Sequence, residues 1–140
     1  MGQCWHWTEY VDQNNLWHQF RAFADTVRGI DPPAEGFEPL MVRHPRLRVY
    51  VLKGNRTTLL WCRDVENTWQ KELQQGRAPK ELKDIAVRLD EVVPLAGRTA
   101  RAYDPWKKAW TDAAIEGGAV RLPAFARSIV VRLATESATR

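Results

Sequence analysis

The hydrophobic period changes once along this chain, and that change constrains the fold more than any other feature. Between residues 14 and 28, Leu16, Phe20, Phe23, Ala24 and Val27 fall on one face at helical spacing. Asp12 or Asn14 can cap the first turn. Gly29 stands where a left-handed C-terminal residue is wanted, and Pro32-Pro33 blocks continuation. Ahead of the helix, Cys4, Trp5 and Trp7 read as an extended segment running into a turn at 12–15. A Pro/Gly-rich break follows at 31–39.

Beyond the break the period is two. Leu47, Val49 and Val51 alternate with Arg48, Tyr50 and Leu52, Gly54-Asn55 signals a hairpin, and 57–62 is the return strand. Residues 64–76 interrupt the pattern, with Trp69 and Leu73 at helical spacing before Gly76. Strands are then expected at 85–89, 98–103, 109–115, 119–122 and 129–133, with Gly117-Gly118 as a second hairpin signal. The expected fold is mainly β, an antiparallel β-sandwich of about seven strands preceded by a strand–loop–helix appendage. The corresponding division is 1–33 for the appendage and 38–135 for the sandwich.

A chain of 140 residues with 44% hydrophobic and 27% charged residues can bury a core without metals or staples. No run approaches the ~18 apolar residues of a membrane helix, so no membrane partner is expected. The net charge is +4, but the basic residues are interspersed with acidic ones. Residues 1–70 hold eight of each sign, and Lys107-Lys108 is the only adjacent basic pair. A nucleic-acid binder is expected to cluster its positive charge, so no nucleic-acid partner is expected. Cys4 and Cys62 have no ligand spacing, which argues against a metal site. Whether they pair is left open by spacing. The chain has no signal-peptide pattern, so as written it is expected in the cytoplasm.

The residues that suggest chemistry are aromatic. Trp5 and Trp7, two apart on an expected strand, would share one face and, with Tyr10, form a platform for sugar rings. The alternative is that the tryptophans pack on the helix. Glycoside hydrolysis needs two carboxylates roughly 5–9.5 Å apart, and near Glu9 only Asp12 is available, in a presumed turn. No phosphate-loop glycine pattern occurs. Neither catalytic residues nor cofactors are assigned.

Three stretches resemble the C-terminal end of a (β/α)8-barrel glycoside hydrolase of the cellulase/mannanase-like group, with its trailing β-sandwich. They are Gly2 to Arg28, including Trp5-His6-Trp7 and Asn15-Leu16-Trp17; Leu60-Trp61-Cys62-Arg63-Asp64 with Thr68-Trp69; and Tyr103-Asp104-Pro105-Trp106 through Gly117-Gly118 to Leu122-Pro123-Ala124-Phe125 and the final strand. The resemblance implies that residues 1–33 are the last βα unit of a barrel. Both catalytic carboxylates would then come from earlier strands, upstream of Met1. It also implies export of the parent enzymes.

The resulting expectation is a non-catalytic accessory domain or fragment of a glycoside hydrolase, without activity of its own. Two alternatives stand beside it, a stand-alone carbohydrate-binding module and a subunit completing a split glycosidase. The expected partners are carbohydrate, the missing catalytic barrel, or a second copy held through the apolar face of helix 14–28.

Overall fold

The computed structural model describes residues 6–135. The expected strand at the N-terminus is not found in its described part. His6–Asp12 winds as a wide helical turn instead. This coil lets Trp7 fold back on Trp17 and Phe20, an aromatic contact that an extended segment would carry away from the helix. The expected helix is present in two pieces, a tight turn at Leu16–Phe20 and α1 at Arg21–Val27. Neither Asp12 nor Asn14 caps it. Asn15 holds the cap position with φ +51°, Asp12 accepts the Trp17 indole N–H, and the Asn14 amide donates to the Tyr10 carbonyl. Gly29, at φ +72°, ends the helix in the left-handed conformation. Pro32-Pro33 then opens the short helix α2, Pro32–Glu35, where a missing N–H costs nothing.

The rest is a β-domain. Among the described residues there are ten strands: β1 Glu38–Arg43, β2 Leu47–Lys53, β3 Thr57–Asp64, β4 Glu81–Leu82, β5 Ala86–Arg88, β6 Arg98–Asp104, β7 Ala109–Glu116, β8 Ala119–Arg121, β9 Phe125–Ala126 and β10 Ser128–Thr135. Eight form one antiparallel sheet in the order β1-β2-β3-β10-β6-β7-β8-β5, while β4 and β9 pair separately. The sheet curls until it is nearly barrel-shaped. The long strand β7 carries the curl, since its first half pairs with β6 and its second half with β8. Gly117 and Gly118, both at positive φ, make the tight β7–β8 hairpin turn. Asp104 turns the chain between β6 and β7 by accepting the Trp106 and Lys107 N–H groups.

Period two explains the core. Leu47, Val49 and Val51 of β2, Leu60 and Cys62 of β3, and Ile129, Val131 and Leu133 of β10 point inward and are buried. Val87, Leu89, Val120, Leu122 and Phe125 meet them from the other side. Burying one such aliphatic side chain stabilises by roughly 1.5–3 kcal/mol.

The β2–β3 turn is organised from below by α2. The buried Glu35 carboxylate accepts the backbone N–H of Arg56 at 2.8 Å and of Thr57 at 2.9 Å. The Glu35 carbonyl accepts the Asn55 N–H. Burial works against the charge, but these N–H groups hold the carboxyl below its ordinary range.

Candidate functional site

Register builds an aromatic row on the outer face of the sheet. Met41 pairs with Tyr50, Tyr50 with Trp61, Trp61 with Val130, Val130 with Tyr103 and Tyr103 with Trp110. Six side chains from six strands therefore line up across the sheet, perpendicular to the strands. Tyr50 and Trp61 stack with centroids 5.4 Å apart, and Tyr103 and Trp110 meet at 5.1 Å. The Arg101 guanidinium lies over the Trp110 ring. Two residues further along the strands, Pro39, Leu52 and Leu59 extend the apolar surface.

Helix α1 lies over this face. The Tyr103 hydroxyl donates to Asp25 Oδ2 at 3.2 Å, and Arg132 donates to the Arg28 carbonyl at 2.8 Å. Arg21 and Arg28 also pair with Asp25. Partial burial opposes ionisation of Asp25, yet the hydrogen bonds from Arg21, Arg28 and Tyr103 pull its carboxyl below the ordinary value. Burial, reinforced by Asp25, pushes the Tyr103 phenol up.

The overhang leaves an open groove of about 960 Å³. Phe23, Val27 and Ile30 form one wall, and Tyr50, Leu52 and Trp61 form the floor. Phe23 is 71% exposed and Trp61 46% exposed, so large apolar groups stand in the groove without being covered.

Of the residues singled out as a sugar platform, two lie within the described part of the chain. Trp5 lies outside the described residues. Trp7 and Tyr10 are exposed, on a helical coil rather than on one face of a strand. Trp7 stacks on Trp17 with centroids 5.7 Å apart and planes 14° apart, so one face of each ring is partly occupied. The Tyr50–Trp61 pair was not anticipated as a unit, although both residues lie in strands with apolar residues on both faces.

The buried carboxylates among the described residues serve the fold. The buried acids Glu35, Asp64 and Asp104 all accept backbone N–H groups. Glu72 pairs with Arg127, whose guanidinium also covers Trp106. Arg63 does not pair with its neighbour Asp64, and donates instead to the Asn67 carbonyl. His44 Nδ1 accepts the Arg46 and Leu47 N–H groups at the β1–β2 turn. Cys62 is a free thiol in the core, and burial pushes its pKa up to about 12. Cys4 lies outside the described residues. Among the described residues no group of three or more His, Cys, Asp or Glu could hold a metal, and no helix is long and apolar enough to cross a membrane.

Comparison with protein-family models, with curated proteins and with solved structures gave no match.

Proposed function

We propose that this chain is a non-catalytic accessory domain of a glycoside hydrolase, which seats its α1–sheet groove against the catalytic portion of the enzyme. The observation that carries the docking part is the groove itself. Its walls and floor are apolar, and contiguous exposed apolar surface of this kind marks an interaction site. A sugar site would add polar groups aimed at hydroxyls, and the groove lining offers few. The assignment to sugar enzymes comes from the motif resemblance around Trp5–Trp7, Trp61–Asp64 and Tyr103–Trp106. A subunit completing a split glycosidase would use the same groove, with the barrel on a separate chain.

A stand-alone carbohydrate-binding module is the second reading. It is favoured by the exposure of Tyr50 and Trp61, whose rings stack on each other but leave aromatic surface that a sugar ring could cover.

Titration with glucan and mannan oligosaccharides, followed by intrinsic Trp fluorescence and by release of reducing sugar, separates the readings. The docking reading expects neither a fluorescence change at millimolar ligand nor hydrolysis. A saturable change lost in Trp61→Ala would replace it with the binding module. Hydrolysis by the isolated chain would overturn both.

A further inference from the structure

Three arginines form a row of their own at one end of the outer face. Arg43 of β1 pairs with Arg48 of β2, Arg48 pairs with Arg63 of β3, and Ser128 of β10 continues the row. Paired strands lie about 4.8 Å apart, so three cationic side chains spring from the sheet at that interval. Like charges directly opposite each other destabilise a sheet. The fold does not relieve them. Among the described residues, neither Arg43 nor Arg48 makes an ion pair, and Arg63 meets only the Asn67 carbonyl. The acids that follow β3 are engaged elsewhere, Glu66 with Lys71 and Glu72 with Arg127. Arg46, in the β1–β2 turn, stands near Glu66 and is partly balanced by it.

We propose that the row Arg43–Arg48–Arg63 is a binding site for an acidic polysaccharide running across the strands. The planar guanidinium fork matches a carboxylate in two-point fashion. A uronic acid chain carries one carboxylate per sugar, so it offers the row a succession of such partners. The Tyr50–Trp61 stack borders the row on one side as an apolar wall, which strengthens the field of the arginines. Nucleic acid fits less well. The positive row ends at Ser128, and the parallel row through Leu59 carries apolar residues before the mixed charges Arg132, Arg101 and Asp112. The three arginines lie outside the groove lining, while the bordering Tyr50, Trp61 and Ser128 belong to it.

The test is affinity of the whole chain for polygalacturonate, neutral mannan and a single-stranded oligonucleotide, at low and high salt. Polygalacturonate should bind and weaken with salt, and mannan should not bind. Arg48→Gln and Arg43→Gln should each weaken binding by about tenfold, the worth of one charge-assisted pair. Arg48→Gln should also raise the low-salt unfolding midpoint, because repulsion is relieved. Lys53→Gln, at the opposite end of β2 from Arg48, should leave binding unchanged. Three results would overturn the proposal: no binding of polygalacturonate, equal losses in the lysine and arginine variants, or tighter binding of the oligonucleotide.

Discussion

The Tyr103 hydroxyl donates to Asp25 Oδ2 across 3.2 Å, joining β6 to α1 above the aromatic row. Asp25 sits far from Tyr103 in sequence, and the same carboxylate gathers Arg21 and Arg28 from its own helix end. The bond therefore fixes how far α1 overhangs the sheet, and with it the width of the groove. Tyr103→Phe removes one hydrogen bond, worth about 0.5–1.5 kcal/mol. Amide exchange in Arg21–Val27 should accelerate while β3 and β10 stay protected. Equal exchange in wild type and variant would mean that the apolar contacts of Thr26 and Val27 hold the helix without Tyr103.

Glu35 is the acceptor on which the β2–β3 turn closes, and Gly54 is the close approach that makes room for it. A Cβ at Gly54 would stand 2.6 Å from Glu35 Oε2, 2.6 Å from the Thr57 carbonyl and 2.8 Å from the Phe37 ring. Gly54→Ala should cost about 1–3 kcal/mol through overpacking. Glu35→Ala should cost about 2–3 kcal/mol, because buried N–H groups lose a charged acceptor. The folded carboxyl titrates below its ordinary value of 4.5, so its contribution is present above that pH and is lost as pH falls through the folded value. Urea midpoints should fall more steeply below pH 4.5 in wild type than in Glu35→Gln. Parallel curves would contradict the assignment.

Much of the β-domain was legible because one face of each strand is buried. Period two marked β2, β5 and β10, Gly54-Asn55 marked the β2–β3 turn, and Gly117-Gly118 marked the β7–β8 turn. β1 was missed because Pro39 lies within it and only Leu40 and Val42 are half-buried, as suits an edge strand. β4 and β9 are two residues each, too short to show any period. The coil at His6–Asp12 is held by tertiary aromatic contacts that local pattern does not encode. The two outer rows were hidden for another reason. Register alone brings residues 41, 50, 61, 130, 103 and 110 together, or 43, 48 and 63. The arginine row vanished in the even charge balance of residues 1–70. One available signal was the run Val49–Leu52 opposite Leu59–Cys62, apolar on both faces, which implies cover on both sides.

His44 should make stability respond to pH in a window that carboxylates do not reach. Burial, aided by Arg46, pushes its pKa below 6.5, while contact with the Ala86 backbone opposes the shift. Protonation would turn the Nδ1 acceptor into a donor facing the Arg46 and Leu47 N–H groups. Stability from this turn is therefore present above the unfolded value and is lost as pH falls through the lower folded value. The urea midpoint should drop between pH 7 and 5. His44→Asn, which keeps an acceptor that does not titrate, should flatten that drop. A drop of the same size in the variant would assign it to other groups.

Cys62 should be chemically silent in the folded protein. Its thiol is buried and its pKa is pushed up to about 12, so almost no thiolate exists at pH 8. A disulfide reagent should modify Cys62 only in denaturant, as peptide mapping would show. Rapid modification of Cys62 in the native protein would mean that the core opens between β3 and β10.

The central claim is that the α1–sheet groove receives the catalytic portion of a sugar-hydrolysing enzyme. The most direct measurement is the affinity of this chain for the polypeptide encoded immediately upstream of its first codon. The expected result is an upstream product with barrel strands and two carboxylates at their C-terminal ends, which binds the wild-type chain and loses affinity for Phe23→Glu. An upstream region without such a coding sequence, or an upstream barrel that binds wild type and Phe23→Glu alike, would contradict the account.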